Sequence, residues 1–304
     1  MGSDTPLTIL SAKPVVIAAP GRGAGMHVRV SAPATGHDVP VIVFSHGFGG
    51  SMDDYQPLVD YWAGRGFAVL QPTHLDSLTL GIAPEDPRTP DIWRFRIDDL
   101  KRVIDNLGLI ESAVPGLTGR LDRDSVVVAG HSWGATTASA LLGARVVGPD
   151  GKPGQDMSDP RVRAGVLLAL AGHGQEDLTP FAAEHFPFMS PDFTGMARPA
   201  LLVAGDQDQS LLSTRGPDWW ADGYVQSPGA KSLLTLSGAE HSLGGISGYA
   251  VTATTDESPE RVALLAQVST AFLRDVLGID DADWAASRKE LAAGHAALGR
   301  LEVR

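Results

Sequence analysis

The 304-residue chain contains no cysteine. That excludes disulfides, a thiol nucleophile and thiolate metal ligation, while leaving the compartment open. Positive charge is also short: 24 Lys and Arg stand against 36 Asp and Glu, for a net charge of -12. Nucleic acid and anionic membrane surfaces both need a basic face, so neither is expected as a partner. No apolar run approaches the roughly 20 residues of a membrane-spanning helix. The opening residues, MGSDTPLTIL, lack the basic-then-apolar pattern of a secretory signal. The expectation is a cytoplasmic protein, with secretion after signal removal as the alternative. Linkers, repeats and low-complexity runs are missing too, so residues 1–304 read as a single domain with its core at about 14–278. Residues 279–304 read as a polar helical tail.

Short apolar runs recur along the chain: PVVIA, MHVRVS, VIVFS, FAVLQ, SVVVA, GVLLALA, ALLVA and SLLTL. Most are continuously apolar, as in strands covered on both faces. The first two flank the Gly-rich turn PGRGAG and read as an antiparallel hairpin at a sheet edge. Helical stripes lie between later runs, one through Trp93, Ile97, Leu100, Ile104 and Leu107, another through Leu265, Val268, Phe272 and Val276 with Gly278 as C-cap. This alternation predicts an α/β fold with a mostly parallel, doubly wound sheet, whose reactive groups gather at the carboxyl ends of the strands.

Ser132 falls at such an end, in Gly130-His131-Ser132-Trp133-Gly134, between the run SVVVA and the helix-like ATTASALLGA. A strand-to-helix turn this tight needs glycine on either side, and it lifts the hydroxyl toward a helix N-terminus that favours negative charge. The alternative is a serine that merely caps the helix. A hydroxyl becomes a nucleophile when a base takes its proton and an acid orients that base. His241, in the Gly-rich loop GAEHSLGG after the last strand, follows the candidate acids, whereas His173 in LALAGHG precedes them. The order serine, acid, histidine therefore favours His241. Asp206 and Asp208 both end the run ALLVAGDQD, and spacing does not separate them. Donors for an oxyanion are expected from the backbone after the serine and from the loop His46-Gly47-Phe48-Gly49-Gly50.

The set PVIVFSHGFGGS, GHSWGAT, LLVAGDQD and GAEHSLGG resembles the α/β-hydrolase superfamily. Within it, the chain is similar to the chlorophyllase and platelet-activating-factor-acetylhydrolase-like esterases, a group often labelled predicted dienelactone hydrolases. The resemblance implies an eight-stranded sheet with an antiparallel second strand, and the two inserts at 176–199 and 213–229 are too small for a large lid domain. It also implies serine carboxylic-ester hydrolysis without cofactor or metal. Position by position, it makes Ser132 the nucleophile, His241 the base, Asp208 the acid through the pattern G-x-x-D, and the N–H groups of Phe48 and Trp133 the oxyanion donors. Dienelactone hydrolases proper use cysteine, which this chain lacks, and chlorophyllases commonly carry Arg where this chain has Trp133. His46, His131, His173, Phe186 and Trp219 are the residues expected around a small to mid-sized, partly apolar ester. Alternatives are acyl transfer or perhydrolysis from the same acyl-enzyme, and a non-catalytic ligand-binding protein on the same fold.

Overall fold

The structure is a computed structural model that describes residues 5–248, 254–292 and 297–304. His295, in the segment read as a tail, lies outside the described residues.

The protein is a mixed α/β structure built on a large, mostly parallel central sheet of nine strands. They are β1 (Ile9–Ile17), β2 (Met26–Pro33), β3 (Val39–Ser45), β4 (Ala68–Pro72), β5 (Leu121–His131), β7 (Val162–Leu168), β9 (Ala200–Gly205), β10 (Ser232–Leu236) and β11 (Gly299–Val303). Two further strands, β6 (Arg145–Val146) and β8 (Pro191–Asp192), pair only with each other. The order across the sheet is β1-β2-β4-β3-β5-β7-β9-β10-β11. Pairings from β4 through β10 are parallel; β2 runs antiparallel to both of its neighbours, and β11 runs antiparallel to β10. All eight apolar runs fall on strands of this sheet, and the first two form the edge hairpin.

Successive residues of a strand point to opposite faces, and the core divides accordingly. Val41, Val43, Val126 and Val128 join the cluster under helices α2 (Ile92–Asp105), α3 (Leu107–Ala113) and α4 (Trp133–Leu142). Ile42, Phe44, Val127 and Ala129 join the cluster under α1 (Gln56–Gly64), α7 (Pro259–Val276) and α8 (Ala282–Leu291). Burial on both faces explains why these strands read as unbroken apolar runs. Gly278, at φ 70°, follows α7 as expected.

Two expectations need correction. The stripe from Trp93 to Leu107 spans two helices, because Asn106 breaks the regular backbone and its side chain donates to the Arg102 carbonyl at 2.8 Å. The sheet has nine strands where eight were expected, and the ninth comes from the tail taken as wholly helical: α8 is followed by β11. In β11 only Gly299 and Leu301 are buried, with exposed Arg300, Glu302 and Val303, so its apolar alternation is too brief to register. Its pairing covers the edge that β10 would otherwise present.

The inserts are short of a lid. Between β7 and β9 lie α5 (Pro180–His185) and β8, and between β9 and β10 lies α6 (Asp222–Gln226). Among the described residues, no helix is long and apolar enough to cross a membrane.

Candidate active site

The turn after β5 requires its glycines. A Cβ on Gly130 would sit 2.2 Å from the Gly134 carbonyl oxygen, and one on Gly134 would sit 2.0 Å from that of Ser45. Neither contact is survivable, since both neighbours are backbone. Ser132 between them adopts φ 56°, ψ -123°, a conformation that costs an L-residue of order 1–3 kcal/mol and persists only where its surroundings impose it. Its N–H donates to the Leu168 carbonyl on β7 at 2.9 Å, which pins the bend. The side chain makes no capping bond to α4, which disposes of the helix-cap alternative.

Instead Ser132 Oγ lies 2.9 Å from His241 Nε2, and His241 Nδ1 lies 2.9 Å from Asp208 Oδ2. Asp208 is 1% exposed, and its other carboxylate oxygen is buried without a hydrogen-bond partner among the described residues. A carboxylate accepts only, so Nδ1 carries the proton and Nε2 is left to accept the Ser132 hydroxyl. Asp206 instead accepts the Gly238 N–H at 2.7 Å and so fastens the loop that carries His241. Geometry thus divides the two acids that spacing left open.

The turn after β3 faces the same point. Gly47 N–H donates to Tyr55 Oη at 2.9 Å and Gly49 N–H to Asp76 Oδ2 at 3.1 Å. Phe48 lies between them, and its N–H has no partner among the described residues. Trp133 is the first residue of α4, so its N–H also lacks an intrahelical acceptor. The Phe48 and Trp133 rings stack at 5.8 Å with 29° between their planes.

Three buried histidines brace these loops. His131 bridges them: its Nε2 donates to the His241 carbonyl at 2.8 Å and its Nδ1 accepts from Tyr55 Oη at 3.0 Å. Burial, reinforced by the neighbouring His241, lowers His131 to about 3 and keeps it neutral. Burial likewise raises the Tyr55 phenol to about 12, so it stays a donor. His46 accepts the His74 N–H at 3.0 Å, and His74 joins Ser45 Oγ at 2.9 Å to Asp99 at 3.0 Å. Burial holds both imidazoles well below their usual range. Behind them, Arg96 is fully buried and pairs with Asp76 at 2.6 Å, donates to the His46 carbonyl, and lies 4.7 Å over the Trp133 ring. Burial is the largest single influence and would raise Asp76, but Arg96, together with His46, His74 and the Gly49 N–H, outweighs it and holds the carboxyl at about 2.

The expected pocket residues separate into two groups. His46, His131 and Trp219 are 1%, 4% and 0% exposed, so they support the site from inside and do not line a pocket. Trp219 donates its indole N–H to the His173 carbonyl at 2.7 Å, while its neighbour Trp220 places its ring 5.0 Å from that of His241. His173 is held through its backbone, its N–H donating to Asp222 at 2.8 Å, whereas the imidazole that reaches Ser132 is that of His241. Phe186 is half-buried and packs edge-on against Phe188 at 6.1 Å, one ring removed from Trp133. Tyr55 and the Arg96–Asp76 pair were not singled out in advance. Arg96 and Asp76 read as ordinary surface charges, and nothing in DDYQP marks Tyr55 as a hinge between loops. A cavity of about 560 Å³ is lined by neither Ser132 nor His241. Among the described residues, no cluster of three or more His, Asp or Glu side chains is arranged to hold a metal ion.

Comparison with known proteins leaves this geometry to stand alone: no protein-family model and no curated protein matches the chain.

Proposed function

We propose that the protein is a serine carboxylic-ester hydrolase on an α/β-hydrolase, doubly wound sheet, acting through an acyl-enzyme. The observation that carries this reading is the hydrogen-bonded chain Ser132–His241–Asp208, with its serine in a strained turn at the carboxyl end of β5. The antiparallel β2 is what the family resemblance implies, which supports the same reading.

In the proposed reaction, Ser132 Oγ attacks the ester carbonyl as His241 Nε2 takes its proton. Asp208 stabilises the imidazolium through Nδ1–H and does not itself become protonated. Negative charge develops on the former carbonyl oxygen and is met by the Phe48 and Trp133 N–H groups. Each such donor contributes about 3 kcal/mol to the transition state in comparable sites. The C–O bond to the leaving alcohol breaks as His241 returns the proton to it. Water, deprotonated by His241, then attacks the acyl-Ser132 carbonyl and releases the acid with Ser132 restored. Hydrolysis of p-nitrophenyl esters by wild type and Ser132→Ala is the test. Turnover lost by at least about a thousandfold in a folded variant is expected; turnover retained by Ser132→Ala refutes the assignment.

A further inference from the structure

The two candidate oxyanion donors come from segments far apart in the chain, Phe48 after β3 and Trp133 at the start of α4. Their relative placement needs a group that reaches both. Arg96, on α2 and 0% exposed, is such a group. Its Nε donates to Thr137 Oγ1 at 3.1 Å, its Nη1 to Asp76 Oδ1 at 2.6 Å, and its Nη2 to Ser45 Oγ at 3.2 Å and to the His46 carbonyl. Two of these contacts are passed on. Thr137 Oγ1 donates to the Trp133 carbonyl at 2.9 Å, and Asp76 Oδ2 accepts the Gly49 N–H at 3.1 Å. One guanidinium group therefore holds the first turn of α4 on one side and the loop on either side of Phe48 on the other.

On the loop side, successive peptides are gripped in turn. The His46–Gly47 peptide is held at both ends, its carbonyl by Arg96 and its N–H by Tyr55 Oη at 2.9 Å. In the next peptide the Gly47 carbonyl accepts from Gly50 N–H at 3.2 Å and from His46 Nδ1 at 2.7 Å. His46 Nε2 accepts the His74 N–H, so Nδ1 is the nitrogen that carries the proton. The N–H and C=O of a planar trans peptide point in opposite directions, so this grip aims the Phe48 N–H. The Phe48–Gly49 peptide ends on Asp76, which Arg96 holds in turn. A guanidinium group is rigid and planar, so its donors leave at fixed angles and couple the loop to the helix.

We propose that Arg96 is a positioning residue of the reaction centre, setting the spacing and direction of the Phe48 and Trp133 N–H groups toward the developing oxyanion. Fully buried, it acts through Asp76 and Thr137 and does not touch substrate. This role rests on the ester-hydrolase reading above. Its disturbance weakens binding of the transition state and spares that of the ground state. Arg96→Lys keeps the charge beside Asp76 but replaces the planar fork with a single point of donation. Thr137→Val nearly keeps the volume and removes the hydroxyl that passes the contact to Trp133.

The test is steady-state kinetics on p-nitrophenyl acetate for wild type, both variants and the double variant, per active site as counted by phosphonate titration. Arg96→Lys should lose at least about tenfold in kcat with KM within about threefold, because small misplacements at a reaction centre are costly. Thr137→Val should lose about fivefold, and the double variant no more than about twofold beyond Arg96→Lys, since both cut one connection. The second readout is a trifluoromethyl ketone, whose adduct with serine carries an oxyanion. Its Ki should rise by the factor by which kcat/KM falls, to within about threefold. A purely structural Arg96 would lower thermal stability and the number of titratable sites while leaving kcat per site and Ki unchanged; that result overturns the positioning role and leaves the esterase standing. Should Arg96→Lys not fold, Thr137→Val decides alone, and unchanged kcat and Ki there overturn the role. Absence of Ser132-dependent turnover on every ester by folded wild type overturns the function itself, and the role with it.

Discussion

Acid should unfold this protein through its buried imidazoles. His46, His74 and His131 are 1%, 0% and 4% exposed, and burial holds all three below the ordinary value, His131 at about 3. An imidazole in the unfolded chain titrates near 6.5, so as pH falls the unfolded state takes up protons first. Stability is therefore complete above about pH 6.5 and is lost progressively below it, for His131 down to about pH 3. His131, whose folded value lies below 5, loses at pH 5 an amount set by the unfolded chain, about 2 kcal/mol, and His46 and His74 act in the same direction. Asp99 works in the opposite direction. Burial, only partly offset by Arg22, raises it to about 6, so the folded state binds that proton more tightly and recovers about 1 kcal/mol by pH 5. The loss of about 2 kcal/mol from His131 alone is already a large fraction of the stability of many domains. Urea denaturation at pH 8, 7, 6 and 5 measures it. His131→Gln should reduce the fall between pH 8 and pH 5 by about 2 kcal/mol. An equal fall in the variant and the wild type would refute the neutral, bridging His131.

Three further outcomes follow from particular contacts. Asp208→Asn keeps the volume but lets the amide donate toward His241 Nδ1 and favour the wrong tautomer, so kcat should drop about 10⁴-fold, while Asp206→Asn should stay within about tenfold; steady-state kinetics on one ester decides. Gly134→Ala forces a Cβ to 2.0 Å from the Ser45 carbonyl oxygen and should abolish soluble folded protein or cost more than about 4 kcal/mol, read by expression and thermal melting. Tyr55→Phe strips a partner from both Gly47 N–H and His131 Nδ1. Each buried group left unpaired costs about 1–3 kcal/mol, so urea denaturation should show a loss of about 2 kcal/mol or more; no loss would mean the bridge is not formed.

The strands were legible because burial on both faces leaves a continuous apolar signature, and Ser132 was legible because the glycines two residues either side of it are demanded by close backbone contacts. His241 could be placed by chain order, which follows from the sheet topology. Other features leave no local mark. Whether Trp219 or Trp220 faces His241 depends on how a short insert lies on the sheet, and adjacent tryptophans look identical in sequence. Arg96 and Asp99 sit on a helix whose apolar stripe is elsewhere, yet both are fully buried, because their partners Asp76 and Arg22 arrive from distant segments. His131 was taken for a pocket residue by its place beside the serine; in a strand, the residue before the bend points away from it, into the space between Tyr55 and the His241 loop. β11 was missed because five residues with a single buried large side chain carry almost no periodic signal.

The central claim is that Ser132 is an activated nucleophile, and covalent capture tests it most directly. The folded protein would be treated with an organophosphonate ester that phosphonylates activated serines, then measured by intact mass and peptide mapping. One adduct per chain is expected, on Ser132, absent in Ser132→Ala and strongly slowed in His241→Ala. No adduct on the folded wild type, or one on a serine other than Ser132, would contradict it.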